Sequence, residues 1–217
     1  MRQSLLWCGA ALLGAGIWMA GTGIAQDAGA KKEDPPKGGA GVAGAPAPDP
    51  AMEAWMKAAT PGENHKLLAQ MAGKWDESSK LTMAPGSPST EGKGSAEFKA
   101  ILGGRFIQHE HRSDLGGQPF EGLGLLGFDN LKQKFISVWL DNMGTLLMQG
   151  EGTYDAATRT ITERGEYADP LTGGKTQKKF RNVWKFIGEK EMGFEMWETG
   201  EDGKETLALE LAYKKSA

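Results

Sequence analysis

The hydrophobic pattern changes period once along the chain. Up to Gly73 it is helical. Asp49 or Pro50 can start a short helix through MEAWMKAA, and TPGENHKLLAQMAG reads as a second helix. Thr60 suits its N-cap, Pro61 its first position, Glu63 a capping box and Gly73 its stop. Leu67, Leu68 and Met71 supply the stripe to be buried.

After Gly73, short runs rich in aromatic and branched residues alternate with Gly, Asn and Asp turns. The pattern predicts strands at about 74–83, 92–101, 104–113, 120–128, 133–141, 145–154, 159–167, 175–187, 192–199 and 204–215. Connections this short favour antiparallel neighbours. A long antiparallel meander removes its exposed edges by closing on itself. The expected fold is therefore all-β: an up-and-down barrel of about ten strands behind a short helical segment, with a sandwich as the alternative. Closure makes the first and last strands neighbours. The Gly73-Lys74-Trp75 start and the Lys214-Lys215 end then place a basic side chain, Lys214 as we assign it, over the Trp75 indole. Gly-x-Trp after a helix resembles the calycins, the lipocalin and fatty-acid-binding barrels.

The stretches MAGKWD, LGGRF, GQPFEGLGLLGFDN, FISVWLDNMGT, GTYD, ADPLTGG and FEMWE carry a more specific likeness. Together they resemble the bacterial domain-of-unknown-function family 1579, from about Pro61 to Tyr213. The resemblance implies a calycin-like barrel in an exported protein and brings no established catalytic residues. The chain departs from it at His111, where an acidic or aromatic residue is expected.

Alternation then sorts the faces. Ile107, His109 and His111 share one face of their strand, and Phe106, Gln108, Glu110 and Arg112 the other; either face can be the inside, and the histidines reach a cavity only if it is the first. Phe135, Ser137, Trp139 and Asp141 form one face of FISVWLD. Its other face is also apolar, as though a helix or partner covered it. Phe180, Asn182, Trp184 and Phe186 form an aromatic wall carrying one amide. These patterns predict a ligand cavity lined by His109, His111, Trp139, Asp141, Phe180, Asn182 and Trp184. The competing expectation is a filled core, in an interaction or assembly protein whose outer sheet face or edge meets a partner. Gly122 and Gly124, on one face with Phe120, permit strong curvature or the close approach of a ring; curvature is the simpler reading.

Little else reads as chemistry. Two histidines fall short of the three protein ligands a transition-metal site wants, and His65 adds a third only if its helix caps the correct end. Ser137 lacks a nucleophile elbow. Asp141 with Glu151 or Glu163 has no readable separation, and no glycine-rich loop enters a helix to hold a phosphate. No metal, cofactor or enzymatic activity is expected, although a hydrolase or isomerase working through polar groups in the barrel is the third reading.

The N-terminus sets the compartment. Arg2, the apolar run Leu5–Ala20 and Gly23-Ile24-Ala25 read as a signal peptide over 1–25, which predicts a periplasmic or secreted protein. Its removal takes away Cys8, the single cysteine, and moves the formal charge from −3 to −4. Residues 26–50 are rich in Ala, Gly and Pro and read as a disordered linker, leaving 51–217 as the folded domain. After cleavage no stretch is apolar enough to span a bilayer, and scattered Lys and Arg give no nucleic-acid footprint. The expected partner is one small apolar molecule, bound by a monomer or weak dimer.

Overall fold

The structure is a computed structural model that describes residues 49–83, 86–115 and 117–217. The expected signal peptide and nearly all of the expected linker lie outside these residues. Helix α1 spans Pro50–Ala59, with the Asp49 side chain accepting the Ala51 N–H at 2.9 Å. Asn130 and Arg105 bind the carbonyls that end it, at 3.0 Å to Ala58 and 3.1 Å to Ala59. Helix α2 spans Glu63–Ala69, later than the sequence pattern suggests. Thr60 is not its cap but ends α1. Gly62 is the N-cap, and His65 Nδ1 accepts the Gly62 N–H at 3.0 Å, the part expected of a Glu or Gln side chain. No described helix is long and apolar enough to cross a membrane.

Ten strands follow, each close to its expected place. They are β1 (Gly73–Leu81), β2 (Thr90–Ile101), β3 (Phe106–Leu115), β4 (Gln118–Asp129) and β5 (Lys134–Asp141), then β6 (Met148–Asp155), β7 (Thr160–Ala168), β8 (Gln177–Phe186), β9 (Glu191–Thr199) and β10 (Glu205–Lys215). Each pairs antiparallel with its sequence neighbours, and β1 pairs with β10 to close the barrel. Closure leaves no unpaired sheet edge, which is why so many short strands are stable together.

The closing seam corrects one expectation. Trp75 stands opposite Lys215, whose ammonium lies 5.2 Å from the centre of the indole. Lys214 stands opposite Asp76 and is exposed. Side chains alternate, so the residue sharing the inward face with Tyr213 and Trp75 is the next but one, Lys215. Trp75 Nε1 also donates to the Met71 carbonyl at 2.8 Å, tying β1 to the end of α2.

The barrel is filled at the end that α2 closes. Trp75, Phe98, Ile107, Phe135, Ile161 and Phe186 are all buried there in one apolar cluster with Leu68 and Met71. The second apolar face of β5 is not under a helix: Leu140, with Leu123 and Leu125 of β4 beside it, is exposed.

Candidate functional site

Beyond the filled half, the barrel keeps a cavity of about 310 Å³. This is near the lower end of the range of small-molecule sites, about 300–1,000 Å³. Its lining runs from buried Leu126 and Tyr213 to half-buried Leu81, Phe120 and Met148 at the end away from α2. All seven residues expected to line it do so: His109, His111, Trp139, Asp141, Phe180, Asn182 and Trp184. Trp139, Phe180 and Trp184 form its walls without filling it.

Strand β3 turns Ile107, His109 and His111 inward, at 1%, 3% and 5% exposure, which answers which face of that strand is the inside. The His109 ring stacks on Phe98, with centroids 4.1 Å apart and planes 12° from parallel. Burial, and behind it the charge of His111, pushes the His109 pKa down to about 3. A neutral imidazole therefore faces the cavity at any ordinary pH, and its Nε2 has no hydrogen-bond partner.

His111 is placed differently. Its Nδ1 lies 2.9 Å from Glu77 Oε2, a close contact bent away from hydrogen-bond alignment. Its Nε2 lies 3.0 Å from Ser113 Oγ. Tyr213, from β10, brings its hydroxyl to the same carboxylate. Burial, together with the Glu77 charge, raises that hydroxyl's pKa well above the usual tyrosine value.

A second buried acid faces the cavity from β7. Glu163 is 1% exposed, and Ser137 Oγ donates to its Oε2 at 3.0 Å. Burial pushes its pKa up to about 7, a shift that the Ser137 hydrogen bond partly opposes. Asp141 accepts from Trp139 Nε1 at 3.0 Å and so orients the indole. Of the acid pairs weighed from the sequence, Asp141 and Glu163 line one cavity, whereas Glu151 is exposed and pairs with Lys132.

The glycines of β4 are explained by contact rather than curvature. A Cβ on Gly122 would lie 2.1 Å from Trp139 Cζ2, and one on Gly124 would lie 3.2 Å from Trp139 Cε3. The bare backbone makes room for the indole. His65 sits at the closed end with its ring edge-on to Phe128, and it does not line the cavity. No group of three or more His, Cys, Asp or Glu side chains among the described residues is arranged to hold a metal.

Sequence reasoning missed Glu77, Ser113 and Glu163 as cavity residues. The signal for an inward position was there for each: Glu77 alternates with Trp75, Ser113 with His111, and Glu163 with Ile161.

Residues 60–215 match the family described as protein of unknown function (DUF1579). The chain belongs to that family. No curated protein matches this DUF1579 chain. Among solved structures it is similar to the crystal structure of Rv2717c from M. tuberculosis, with a TM-score of 0.52 and 13% identity over 73% of this chain and 100% of that one. At that identity the likeness speaks to the fold. It also shows 12% identity to a redesigned beta barrel, over 70% of this chain and 96% of that one, with a TM-score of 0.36. A third match, to EF1p2_mFAP2b bound to DFHBI, has 10% identity, covers 70% of this chain and 98% of that one, and has a TM-score of 0.37.

Proposed function

We propose that this DUF1579 protein is exported to the periplasm or beyond the cell and binds one small, largely apolar molecule inside its barrel. The observation that carries this reading is where the unpartnered polar atoms lie. Among the described residues, the buried side-chain atoms without a hydrogen-bond partner belong to Glu77, His109, His111, Asn182 and Tyr213, and every one of these residues lines the cavity. Leaving such an atom unmet costs about 1–3 kcal/mol. Glu77, His111 and Tyr213 lean on one another. His109 Nε2 and Asn182 Oδ1 are left for a ligand.

The lining also sets the ligand's charge. Glu77, Asp141 and Glu163 face the cavity, and no Lys or Arg among the described residues does. A carboxylate ligand would meet acids with no cation to balance it, so a neutral molecule or an amine fits better. Aromatic walls suit either.

The test is native mass spectrometry of the full chain purified from its own host, followed by competition among an alcohol, an amine and a carboxylate of one short chain length. A small molecule travelling with the protein, displaced by the alcohol or the amine and not by the carboxylate, is the expected result. An empty protein that binds none of the three contradicts the reading.

A second reading rests on the exposed leucines 123, 125 and 140. Contiguous apolar surface on a sheet suits weak self-association. Sedimentation of the wild-type chain and of Leu125→Lys tests it: a concentration-dependent dimer lost in the variant supports it, and two identical monomers oppose it.

A further inference from the structure

Ser113 and His111 stand two apart on the inward face of β3, and Glu77 reaches the same imidazole from β1, two strands away. The distances are 3.0 Å from Ser113 Oγ to His111 Nε2 and 2.9 Å from His111 Nδ1 to Glu77 Oε2. The Glu77 side chain is 0% exposed and that of His111 is 6% exposed. The intervening strand makes this reach possible. Glu77, Gly94 and Ser113 share one level across β1, β2 and β3. A Cβ on Gly94 would come within 2.8 Å of Ser113 Cβ and 3.3 Å of Glu77 Oε1. With no side chain there, the carboxylate crosses β2 to the histidine.

The site works in the tautomer that carries the ring proton on Nδ1, towards Glu77, and leaves Nε2 to accept from the Ser113 hydroxyl. Nδ1 and the carboxylate are within reach but out of line, as catalytic hydrogen bonds often are before substrate binds. Nucleophile, base and orienting acid therefore stand in the sequence that activated serines share on unrelated folds. Ser113 and His111 both line the cavity, and Ser113 lies towards its half-buried end.

We propose that Ser113, His111 and Glu77 form an acyl-transfer site, with Ser113 taking the acyl group of small apolar esters that enter the cavity. The inference rests on the cavity admitting such a molecule. Ser113 Oγ bonds to the ester carbonyl carbon as its proton passes to His111 Nε2. The tetrahedral adduct then collapses, the ester C–O bond breaks, and the alcohol leaves with that proton. Water adds to the acyl-serine with His111 again taking a proton, which returns to Ser113 as the carboxylic acid departs. Glu77 is a positioning residue: it holds the ring and balances its transient charge. Ser113 is paired on both sides within the sheet, opposite Gly94 and Phe120. A backbone oxyanion hole is not built beside it, so the gain expected is that of a general base, about 10²–10⁴-fold.

The experiment treats the full chain with a small neutral alkyl fluorophosphonate and with p-nitrophenyl butyrate, mapping adducts by peptide mass spectrometry. Binding of a neutral solvatochromic dye is followed on the same samples. The wild-type chain is expected to take one adduct on Ser113 and to hydrolyse the ester. Ser113→Ala should lose both, and Glu77→Gln should slow both by about 10²-fold or more, while each variant keeps the far-ultraviolet circular dichroism of the wild-type chain. An adduct elsewhere, no adduct, or undiminished hydrolysis by Ser113→Ala overturns the acyl-transfer site while dye binding persists. Failure of the wild-type chain to bind the dye strikes instead at the cavity reading beneath it.

Discussion

Trp139 occupies the place that a side chain on Gly122 would take. A Cβ there would fall 2.1 Å from Cζ2 and 2.4 Å from Cη2 of the indole. The wall of the cavity is thus set by a pair across β4 and β5, one residue large because the other is bare. Gly122→Ala must push the indole inward and strain its hydrogen bond to Asp141. Overpacking of this kind costs about 1–3 kcal/mol. Urea unfolding should show that loss, and dye affinity should fall with it. Unchanged stability and affinity together would mean that the indole has room elsewhere.

Two of the perturbed groups in the cavity, Glu163 and His109, drive stability in opposite directions with pH. Glu163, raised from its ordinary 4.5 to about 7, keeps a proton that the unfolded chain has lost. Its contribution is complete below about pH 4.5, falls as pH rises to about 7, and has a full span on the order of 3 kcal/mol. His109, lowered from 6.5 to about 3, stays neutral where the unfolded chain is protonated. Its contribution is complete above about pH 6.5 and is lost as pH falls towards 3. Between about 4.5 and 6.5 the two slopes oppose one another. Glu163→Gln should remove the high-pH loss, so that stability climbs through that window where the wild-type chain is nearly level. Denaturant titrations from pH 4 to 8 read this directly, and parallel curves for the two proteins would refute it.

The closed end depends on one glycine. Gly73 has φ +134°, and a Cβ there would lie 2.8 Å from Lys215 Cε. Gly73→Ala meets both an unfavourable backbone conformation and the lysine that covers Trp75. A loss of about 1–3 kcal/mol in chemical unfolding is expected. Lys215→Met should cost less, about 0.5–1 kcal/mol, because it removes the cation while keeping much of the apolar stem. Lys214→Met should change little, since that residue stands on the outer face opposite Asp76.

Much of this architecture is legible in the sequence because a strand's alternation and its Gly, Asn or Asp turns are local signals. Strand β3 shows the limit. Its two faces separate cleanly in the sequence, yet both carry polar residues, so nothing local says which is inside. Only the ladder with Phe98 and Gly124 decides it. The basic cover of Trp75 was misplaced by one residue for a related reason: register across the closing seam is a long-range property, and a one-residue slip reverses the face. The contact of Glu77 with His111 lay hidden because the two residues are two strands apart. That contact needs Gly94 to be bare, which no spacing within β1 reveals. The glycines of β4 were seen and misread, since curvature and the accommodation of Trp139 leave the same mark in a sequence.

On the function proposed, the hollow of the barrel takes a ligand between Tyr213 and Phe120. Equilibrium titration with a neutral solvatochromic naphthalene ketone tests it most directly, comparing the wild-type chain with Leu209→Trp, whose added ring would plug the cavity lining at a half-buried position. One dye per wild-type chain, blue-shifted in emission, with binding abolished in a Leu209→Trp variant that keeps its far-ultraviolet circular dichroism, is the predicted result. Equal binding by the two proteins, or no binding by either, would contradict it.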